Sequence, residues 1–341
     1  MTRAVVLGAV AATLLAATPA EATLVYTKNA TSPRFKPSVW VANDDGTSPR
    51  RLATGRSGRI SPDGSQVLFV VVPRDPERYK IKLFVVPTAG GAPRRLVTGI
   101  QNIFDIVWSP DGTRALVVAG GNFGPYNLTL VDVPAGTSRT IVKGFFYGFG
   151  FSPDGQQIVY SRAPREVLQI DADLFTVPVA GGVRKRIPTN NPAVSPVWGP
   201  QYIAYSQARL RRNDAPVYQI HRVQPDGSAN SVMTRTRVPK LVWGLTPTAF
   251  SADGTRLLAQ FGGQDTSYAV AVDPATGAER VLGPRGNSGL LASRLSKDGQ
   301  LVLAASGGYD ELAKSDIVTI PWTGGPTTVL VRNADDPDWN R

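Results

Sequence analysis

The sequence predicts an all-β fold, a seven-bladed β-propeller of four-stranded antiparallel blades. Three observations lead to this prediction. Two turn motifs recur along the chain at nearly constant spacing, alternating or wholly apolar runs flank the turns, and no stretch shows the 3.6-residue periodicity of helices. Four-stranded units that repeat every ~40–50 residues are typical of propeller blades.

The first motif is an apolar residue, then Ser-Pro-Asp-Gly, then an apolar strand. Asp-Gly supplies the positive φ angles that tight hairpin turns need, and the Asp side chain bonds to nearby backbone. Each copy therefore predicts a β-hairpin, and turn formation accounts for its Asp residue. Full, looser and degenerate copies begin at Ser61, Ser109, Ser152, Ser251, Ser296 and Trp198.

The second motif is a Gly-containing turn followed by a strand with an Arg-rich start, as in Pro93-Arg94-Arg95-Leu96. Because each repeat then contains two hairpins, it supplies the four strands of one blade. The turn glycines lie about 45 to 50 residues apart. They are Gly46, Gly91, Gly136, Gly182, Gly227, Gly277 and Gly325.

Closure of the ring explains why the first motif has six copies and the second has seven. The chain after the leader starts directly with a strand at Leu24, and residues 336–340 resemble the opening of a blade. Pairing of these terminal strands would leave no unpaired edge. The predicted blades are 57–98, 104–142, 147–187, 195–236, 247–282, 291–331 and 23–54 with 335–341. Six blades with an N-terminal extension is the alternative.

The first 22 residues have the pattern of an export signal. Arg3 precedes an apolar run from Ala4 to Ala17, and Ala20-Glu21-Ala22 is a small-x-small cleavage site. The run is shorter than the ~20 residues that a membrane span needs. We therefore expect cleavage after Ala22, a periplasmic or secreted protein without stable membrane insertion, and one propeller domain over 23–341.

Composition narrows the chemistry further. The chain has no cysteine, which excludes thiol nucleophiles and thiolate metal sites. Its net charge of +11 favours anionic partners. Nucleic acid is not expected among them, because no recognition motif is present. An acidic polysaccharide or another anionic ligand remains open beside a protein partner.

The quoted turns carry a resemblance to a known family. Ser-Pro-Asp-Gly followed by strands such as Gln157-Ile158-Val159-Tyr160, and Gly-Gly-x-x-Arg-Arg-Leu, resemble the TolB-like, WD-repeat-like β-propellers of bacterial envelopes. The resemblance covers the whole chain after the leader. It implies the fold and an envelope location, and says little about function, because the matching residues are turn formers.

No catalytic constellation is visible in the linear sequence. His221 is the only histidine, which excludes a site of several histidines, and no phosphate-binding loop, Ca²⁺ loop or nucleophile elbow occurs. We therefore expect no catalytic, cofactor or metal residues, and a non-enzymatic binding or scaffold protein that engages a protein partner. A carbohydrate or acidic-polymer binder is the alternative, and a propeller glycosidase or lyase ranks below it. Two acidic side chains meeting at the channel mouth would indicate an enzyme.

Two groups of candidate binding residues follow from the predicted blades. Loops opposite the Asp-Gly turns carry basic residues beside aromatic ones, and first strands should line the channel. The candidate loop face comprises Arg74, Arg78, Tyr79, Phe123, Tyr126, Phe145, Phe146, Tyr147, Arg209, Arg211, Arg212, Arg237, Lys240 and Trp243. The candidate channel lining comprises Arg59, Asp105, Arg294 and Asp338.

Overall fold

The structure is a computed structural model that contains β-strands and no helix in the residues it describes. The all-β prediction is therefore confirmed for these residues. None of them forms a helix long and apolar enough to cross a membrane. The described residues are 23–30, 36–73, 81–97, 102–121, 124–165, 171–189, 192–211, 214–235, 244–263, 266–283, 289–307 and 315–341.

The strands follow the repeat of the sequence, and most are five to seven residues long. They are β1 Thr23–Lys28, β2 Ser38–Asn43, β3 Arg50–Thr54, β4 Arg56–Ile60, β5 Gln66–Val71, β6 Lys82–Pro87, β7 Arg94–Arg95, β8 Ile103–Trp108, β9 Arg114–Ala119, β10 Tyr126–Asp132, β11 Thr137–Phe151, β12 Gln157–Ala163, β13 Asp173–Pro178 and β14 Lys185–Ile187. They continue with β15 Ala193–Trp198, β16 Ile203–Arg211, β17 Asp214–Val223, β18 Ser231–Val232, β19 Gly244–Phe250, β20 Leu257–Gly262, β21 Ser267–Val272, β22 Glu279–Leu282, β23 Leu290–Leu295, β24 Leu301–Ser306, β25 Asp316–Pro321, β26 Thr328–Val331 and β27 Asp335–Trp339.

Strand pairing is antiparallel almost throughout. The N-terminal sheet has the order β27-β1-β2-β3, so that the predicted pairing of the terminal strands is present, with Leu24 opposite Trp339. The second sheet is β4 to β7 and the last sheet is β23 to β26, four strands each. The remaining described strands form one sheet of seven strands and one of eight.

Two local features merge predicted blades into these larger sheets. The 15-residue β11 serves as the fourth strand of one unit and the first strand of the next. A single parallel bridge joins Tyr218 to Gly244 in the eight-stranded sheet. Gly244 has a φ of 110°, and a Cβ there would lie 2.2 Å from the Tyr218 carbonyl oxygen. Only glycine allows the backbones to approach this closely.

The Asp-Gly turns have the geometry that their residues predict. Ser61 Oγ donates to Asp63 Oδ1 at 2.5 Å, and that carboxylate accepts the Ser65 N–H at 3.0 Å. Ser109 with Asp111, Ser152 with Asp154, Ser251 with Asp253 and Ser296 with Asp298 repeat the first bond. These carboxylates are therefore committed to turn formation, as expected.

The apolar core consists of clusters between successive sheets. The second sheet packs through Leu68 and Leu83 against Ile106 and Val117 of the following unit. The N-terminal sheet is covered on both faces. Leu24 and Tyr26 pack against Leu303 of the last sheet, and Val25 and Val39 pack against Val67 of the second. Side chains alternate between the two faces of a strand, so β1 contributes to both clusters.

Basic residues of the outer strands join neighbouring units. Arg94 Nη2 donates to the Val133 carbonyl oxygen at 2.6 Å, and Lys185 Nζ donates to that of Asp226 at 2.7 Å. Arg50, Arg139 and Arg280 donate in the same way to Thr88, Val179 and Trp322. Much of the Arg-rich motif is therefore explained by contacts within the chain.

Candidate functional site

The first strands, which we define as those that precede the Asp-Gly turns or their equivalents, each contain a β-bulge. They are β4, β8, β11, β15, β19, β23 and β27, all within the described residues. Ser57, Ser195 and Asp336 occupy the same position of three bulges, with φ between 51° and 56°. A bulge redirects side chains, and bulges are common beside binding sites.

At the positions just before the turns, charged residues occur on four of the seven first strands, β23, β27, β4 and β8. One residue before the apolar position that opens each turn, these strands carry Arg294, Asp338, Arg59 and Val107. Two positions earlier, β27 carries Asp336 and β8 carries Asp105. The other three first strands have only small, apolar or neutral residues at both positions. They are Gly148 and Gly150, Ser195 and Val197, and Pro247 and Ala249.

We call Arg59, Asp105, Arg294, Asp336 and Asp338 the inner cluster. Arg294 Nε donates to Asp338 Oδ1 at 2.6 Å, and the Ile60 N–H donates to Asp338 Oδ2 at 3.0 Å. Ser293 Oγ also donates to the Pro337 carbonyl oxygen at 2.5 Å. The last strand is therefore held by side-chain and backbone bonds to β23 on one side and β4 on the other.

Arg59 is the central cation of the inner cluster. Its Nη1 donates to Asp336 Oδ1 at 2.8 Å and to the Gly58 carbonyl oxygen at 2.9 Å. Burial acts to lower the pKa of Arg59, but Asp336, Asp338 and Asp105 act against it and leave that pKa above its usual value. Arg59 is therefore a permanent cation shared among three carboxylates.

Asp105 differs from the other two carboxylates. Within the described residues, it takes part in no salt bridge. Its Oδ1 accepts a hydrogen bond from the backbone N–H of Ile106 at 2.8 Å. Asp105 is exposed to solvent at the cavity, although protein atoms lie around its carboxyl group on the other sides. This burial raises the pKa of Asp105 above its usual value, although Arg59 and Arg294 act to lower it. Asp105 is thus a carboxyl that gains a proton more readily than an exposed Asp.

The cavity beside Asp105 has a volume of about 500 Å³. β4 contributes Arg56, Ser57 and Arg59 to its wall, and β8 contributes the run from Ile103 to Ile106. Phe104 is 54% exposed at this wall, and its ring meets the edge of Tyr126 at a centroid distance of 4.9 Å. Tyr126 in turn contacts Phe145 at 6.0 Å. Basic, acidic and aromatic side chains therefore line the same cavity.

The four predicted channel residues are brought together, since Arg59, Arg294 and Asp338 are joined through β27 and Asp105 lies within electrostatic reach of both arginines. Sequence reasoning missed Asp336, Arg56 and Phe104. Aligning the residues before each turn would have exposed Asp336, because it is one of only two acidic residues at its position in the seven first strands. That these residues bind a ligand remains a proposal.

The predicted loop face is described only in part. Tyr126 and Phe145 pack beside Phe104 as given above, Phe146 contacts Tyr160 at 6.2 Å, and Tyr147 packs with Ala163 and Val194. Arg209 and Arg211 lie in β16. Arg74, Arg78, Tyr79, Phe123, Arg212, Arg237, Lys240 and Trp243 lie outside the described residues, as does the predicted signal 1–22.

His221 is far along the chain from this site, on β17, and its ring lies 5.7 Å from that of Tyr205. Tyr205 Oη donates to Asn230 Oδ1 at 2.7 Å. Burial lowers the pKa of His221. The ring contact and the burial favour a packing role for His221.

No family model matches the sequence, and comparison with curated proteins gives no match. Solved structures do match. A TolB structure from Agrobacterium tumefaciens aligns with a TM-score of 0.53 and 19% identity over 82% of this chain and 94% of that chain. The chain folds as a TolB-like β-propeller. The resemblance inferred from the turns is thereby confirmed.

Two further matches are enzymes. A puromycin-hydrolysing peptidase from Mycobacterium tuberculosis aligns with the propeller at a TM-score of 0.66 and 17% identity, over 91% of this chain and 52% of that chain. The propeller thus spans about half the length of the peptidase. An oligogalacturonate lyase in complex with manganese aligns at a TM-score of 0.60 and 17% identity, over 92% and 85%.

These matches correct two expectations drawn from the sequence. A non-enzymatic binding or scaffold protein was expected, and the expectation that the protein is not an enzyme followed from it. A peptidase and a lyase share this fold, so both expectations are wrong. The physical reason is that a site in a propeller is assembled from residues of different repeats. Catalytic motifs were sought as short linear patterns, whereas the cluster combines residues from positions 59 to 338 that meet only in the folded propeller.

The manganese of the lyase match raises the question of a metal site here. Among the described residues, no group of three or more His, Asp or Glu side chains is arranged to hold a metal ion. Asp336 and Asp338 each accept hydrogen bonds from an arginine. This donor set does not fit a metal ion, and we derive no step through one.

Proposed function

We propose that the propeller is an enzyme that cleaves glycosidic bonds by acid–base catalysis, with Asp105 as the group that transfers the proton. The observation that carries this proposal is that the Asp105 carboxyl lines a cavity of about 500 Å³ together with Arg59, the arginine that also pairs with Asp336. Glycosidic cleavage generally uses two carboxyl groups in different protonation states at one site.

The environments of the two carboxyl groups suit different roles. Burial raises the pKa of Asp105, so that it can hold a proton and deliver it to a leaving glycosidic oxygen. Asp336 accepts a hydrogen bond from Arg59, which holds its carboxyl group in place for a role as a base or a stabiliser of positive charge. Asp338 is only 3% exposed and is committed to Arg294 and Ile60, so its role is to hold β27 in place.

The choice of a carbohydrate substrate rests on the cavity and on the comparison. Phe104 offers an exposed aromatic face beside Asp105, as sites for ring-shaped ligands do. The match to the oligogalacturonate lyase extends over most of both chains and so supports carbohydrate cleavage. Hydrolysis and elimination are separated by their products, because elimination leaves a carbon–carbon double bond in one of them.

The test compares wild-type protein, Asp105→Asn and Asp173→Asn on a panel of neutral and acidic oligosaccharides, with products separated by chromatography. Asp173 pairs with Arg186 on the outer part of a sheet and serves as the matched control. Asp105→Asn should lower the rate ~10²–10⁴-fold while Asp173→Asn retains it. Wild-type protein that cleaves nothing in the panel, or an Asp105→Asn variant as active as wild type, would reject the proposal.

We further propose seven blades in a closed ring, with β27 completing the blade of β1 to β3. The pairing of β1 with β27, the contacts of β27 to both β23 and β4, and the seven bulged first strands support this arrangement. Small-angle scattering should give the profile of a closed disc. An open or six-bladed profile would contradict it.

The proposal of export rests on residues 1–22, whose pattern is that of a cleavable signal. Expression of the whole chain in a bacterial host, followed by fractionation and N-terminal sequencing, should yield protein that begins at Thr23 outside the cytoplasm. Intact Met1 in the cytoplasmic fraction would contradict it.

A further inference from the structure

We infer that Arg56 and Phe104 form a subsite for a carboxylate carried on a six-membered ring, with Arg56 binding the carboxylate and Phe104 stacking against the ring. This inference rests on the proposed function, because it names the substrate class of the same cavity. It also makes Arg56 and Phe104, rather than the inner cluster, the residues that determine specificity.

The two residues occupy equivalent positions on neighbouring first strands. Each lies four residues before the apolar residue that opens its turn, Ile60 in β4 and Trp108 in β8. Both line the cavity. The bulge between Ile103 and Asp105 places two consecutive residues, Phe104 and Asp105, on the cavity wall. A ring stacked on Phe104 therefore lies next to the carboxyl group that transfers the proton.

Arg56 has unused hydrogen-bonding capacity. Its Nε is buried and has no hydrogen-bond partner among the described residues. This contrasts with Arg59, Arg294 and the arginines of the outer strands, which bond to carboxylates or carbonyl oxygens. A buried N–H without an acceptor is costly, so such a group usually has an acceptor when the protein is at work.

The contact between β1 and β4, beside Arg56, also lacks a hydrogen bond that two equivalent contacts have. Ser161 Oγ donates to the Ala193 carbonyl oxygen at 2.6 Å and Ser206 Oγ to that of Leu245 at 2.9 Å, each at the start of the next first strand. Thr27 holds the matching place beside β4, and its buried Oγ1 has no such bond. Of these three pairs of strands, only the pair β1 and β4, next to Arg56, lacks the hydrogen bond from the hydroxyl group to the neighbouring backbone.

The chemistry of the two side chains selects the ligand. A guanidinium presents its N–H groups as a fork that matches the two oxygens of a carboxylate. Phe104 contacts Tyr126 in a T-shaped arrangement and is 54% exposed, which leaves aromatic surface for the C–H face of a sugar ring or the face of an aromatic ring. A hexuronic acid and an aromatic acid share this chemistry.

The experiment measures binding by isothermal titration calorimetry to the Asp105→Asn protein, so that turnover plays no part. The probes are a trigalacturonate, its methyl ester, and benzoate. Trigalacturonate should bind at least tenfold more tightly than its ester, and Arg56→Gln should remove that difference. Phe104→Ala should weaken both sugars about equally. Arg332→Gln, an exposed arginine paired with Asp316, is the control and should change neither.

The outcomes separate the subsite from the proposed function. Carboxylate-dependent binding without cleavage by wild-type protein would support the subsite and overturn the proposed function. If the protein cleaves the free acid and the methyl ester at the same rate, and Arg56→Gln does not change that rate, the subsite alone would be overturned. Tight binding of benzoate but not of trigalacturonate would support the subsite with an aromatic acid as its source. If Arg56→Gln fails to fold, Arg56→Lys keeps the charge without the fork and should still lose most of the preference.

Discussion

Arg294 and Asp338 form a 2.6 Å ion pair that joins β23 to β27, while the second oxygen of Asp338 accepts the backbone N–H of Ile60 in β4. A single carboxylate therefore connects three first strands. These strands belong to the last sheet, the N-terminal sheet and the second sheet, so that one carboxylate near the C-terminus links sheets from both ends of the chain.

Replacing Asp338 should destabilise the propeller strongly. Asp338→Ala removes two hydrogen bonds from a side chain that is only 3% exposed, and leaves Arg294 and the Ile60 N–H without their acceptor. We expect the free energy of unfolding to fall by about 3 kcal/mol in urea titration. Asp173→Ala breaks a largely exposed pair and should cost about 0–1 kcal/mol. Equal losses in the two variants would contradict this role of Asp338.

Replacing Asp105 should have the opposite effect on stability. Because burial raises the pKa of Asp105, folding favours its protonated form, and the charged carboxylate costs stability above that pKa. Asp105→Asn should therefore raise the thermal unfolding midpoint at pH 7. The advantage should shrink as pH falls through the pKa of Asp105, because the wild-type carboxyl then becomes neutral too. A variant less stable than wild type at pH 7 would show that the attraction of Arg59 and Arg294 for the charged Asp105 outweighs its desolvation.

The turn aspartates should make the propeller sensitive to acid. A hydrogen bond from Ser251 and bonds from Thr255 lower the pKa of Asp253 from 3.8 to about 2. A depressed folded-state pKa stabilises the fold above the unfolded value, and the stabilisation is lost as pH falls through the folded value. Stability should therefore drop between about pH 4 and pH 2. Asp253→Asn should be less stable at pH 7 and lose less on acidification, which urea titration at each pH would reveal.

Gly46 should tolerate substitution less well than Gly91. Both have positive φ, 84° and 123°, but a Cβ on Gly46 would lie 2.4 Å from the carbonyl oxygen of Leu330, while nothing lies within 4 Å of one on Gly91. Strain alone costs ~1–2 kcal/mol, so Gly91→Ala should lose about that much. Gly46→Ala should lose more, because the last sheet must also shift. Similar unfolding midpoints for the two variants would refute the close approach.

The fold was predictable because its determinants are local and repeated. Ser61, Asp63 and Gly64 specify one hairpin, and the same residue types recur wherever a hairpin recurs. The merging of units was not predictable. Whether β11 continues between two units, or whether Tyr218 bridges to Gly244, depends on small differences in how neighbouring sheets approach each other.

The candidate site was predictable only in outline. Arg59, Asp105, Arg294 and Asp338 could be placed on first strands by counting from the turns. Their roles could not be separated, because the difference between Asp105 and Asp338 lies in which arginine and which backbone N–H each carboxylate reaches. Phe104 was missed because a bulge, which has no sequence signature of its own, places it beside Asp105 on the cavity wall.

The bulged first strands have an evolutionary consequence. Each turn is formed by its own serine and aspartate, and the outer arginines join neighbouring units, so turn formation does not require a particular residue just before the turn. The side chains at this position are uncharged in four strands, Val107, Gly150, Val197 and Ala249, and charged in three, Arg59, Arg294 and Asp338. An ancestor of identical units could thus acquire new chemistry at this position one repeat at a time, while the turns stayed the same.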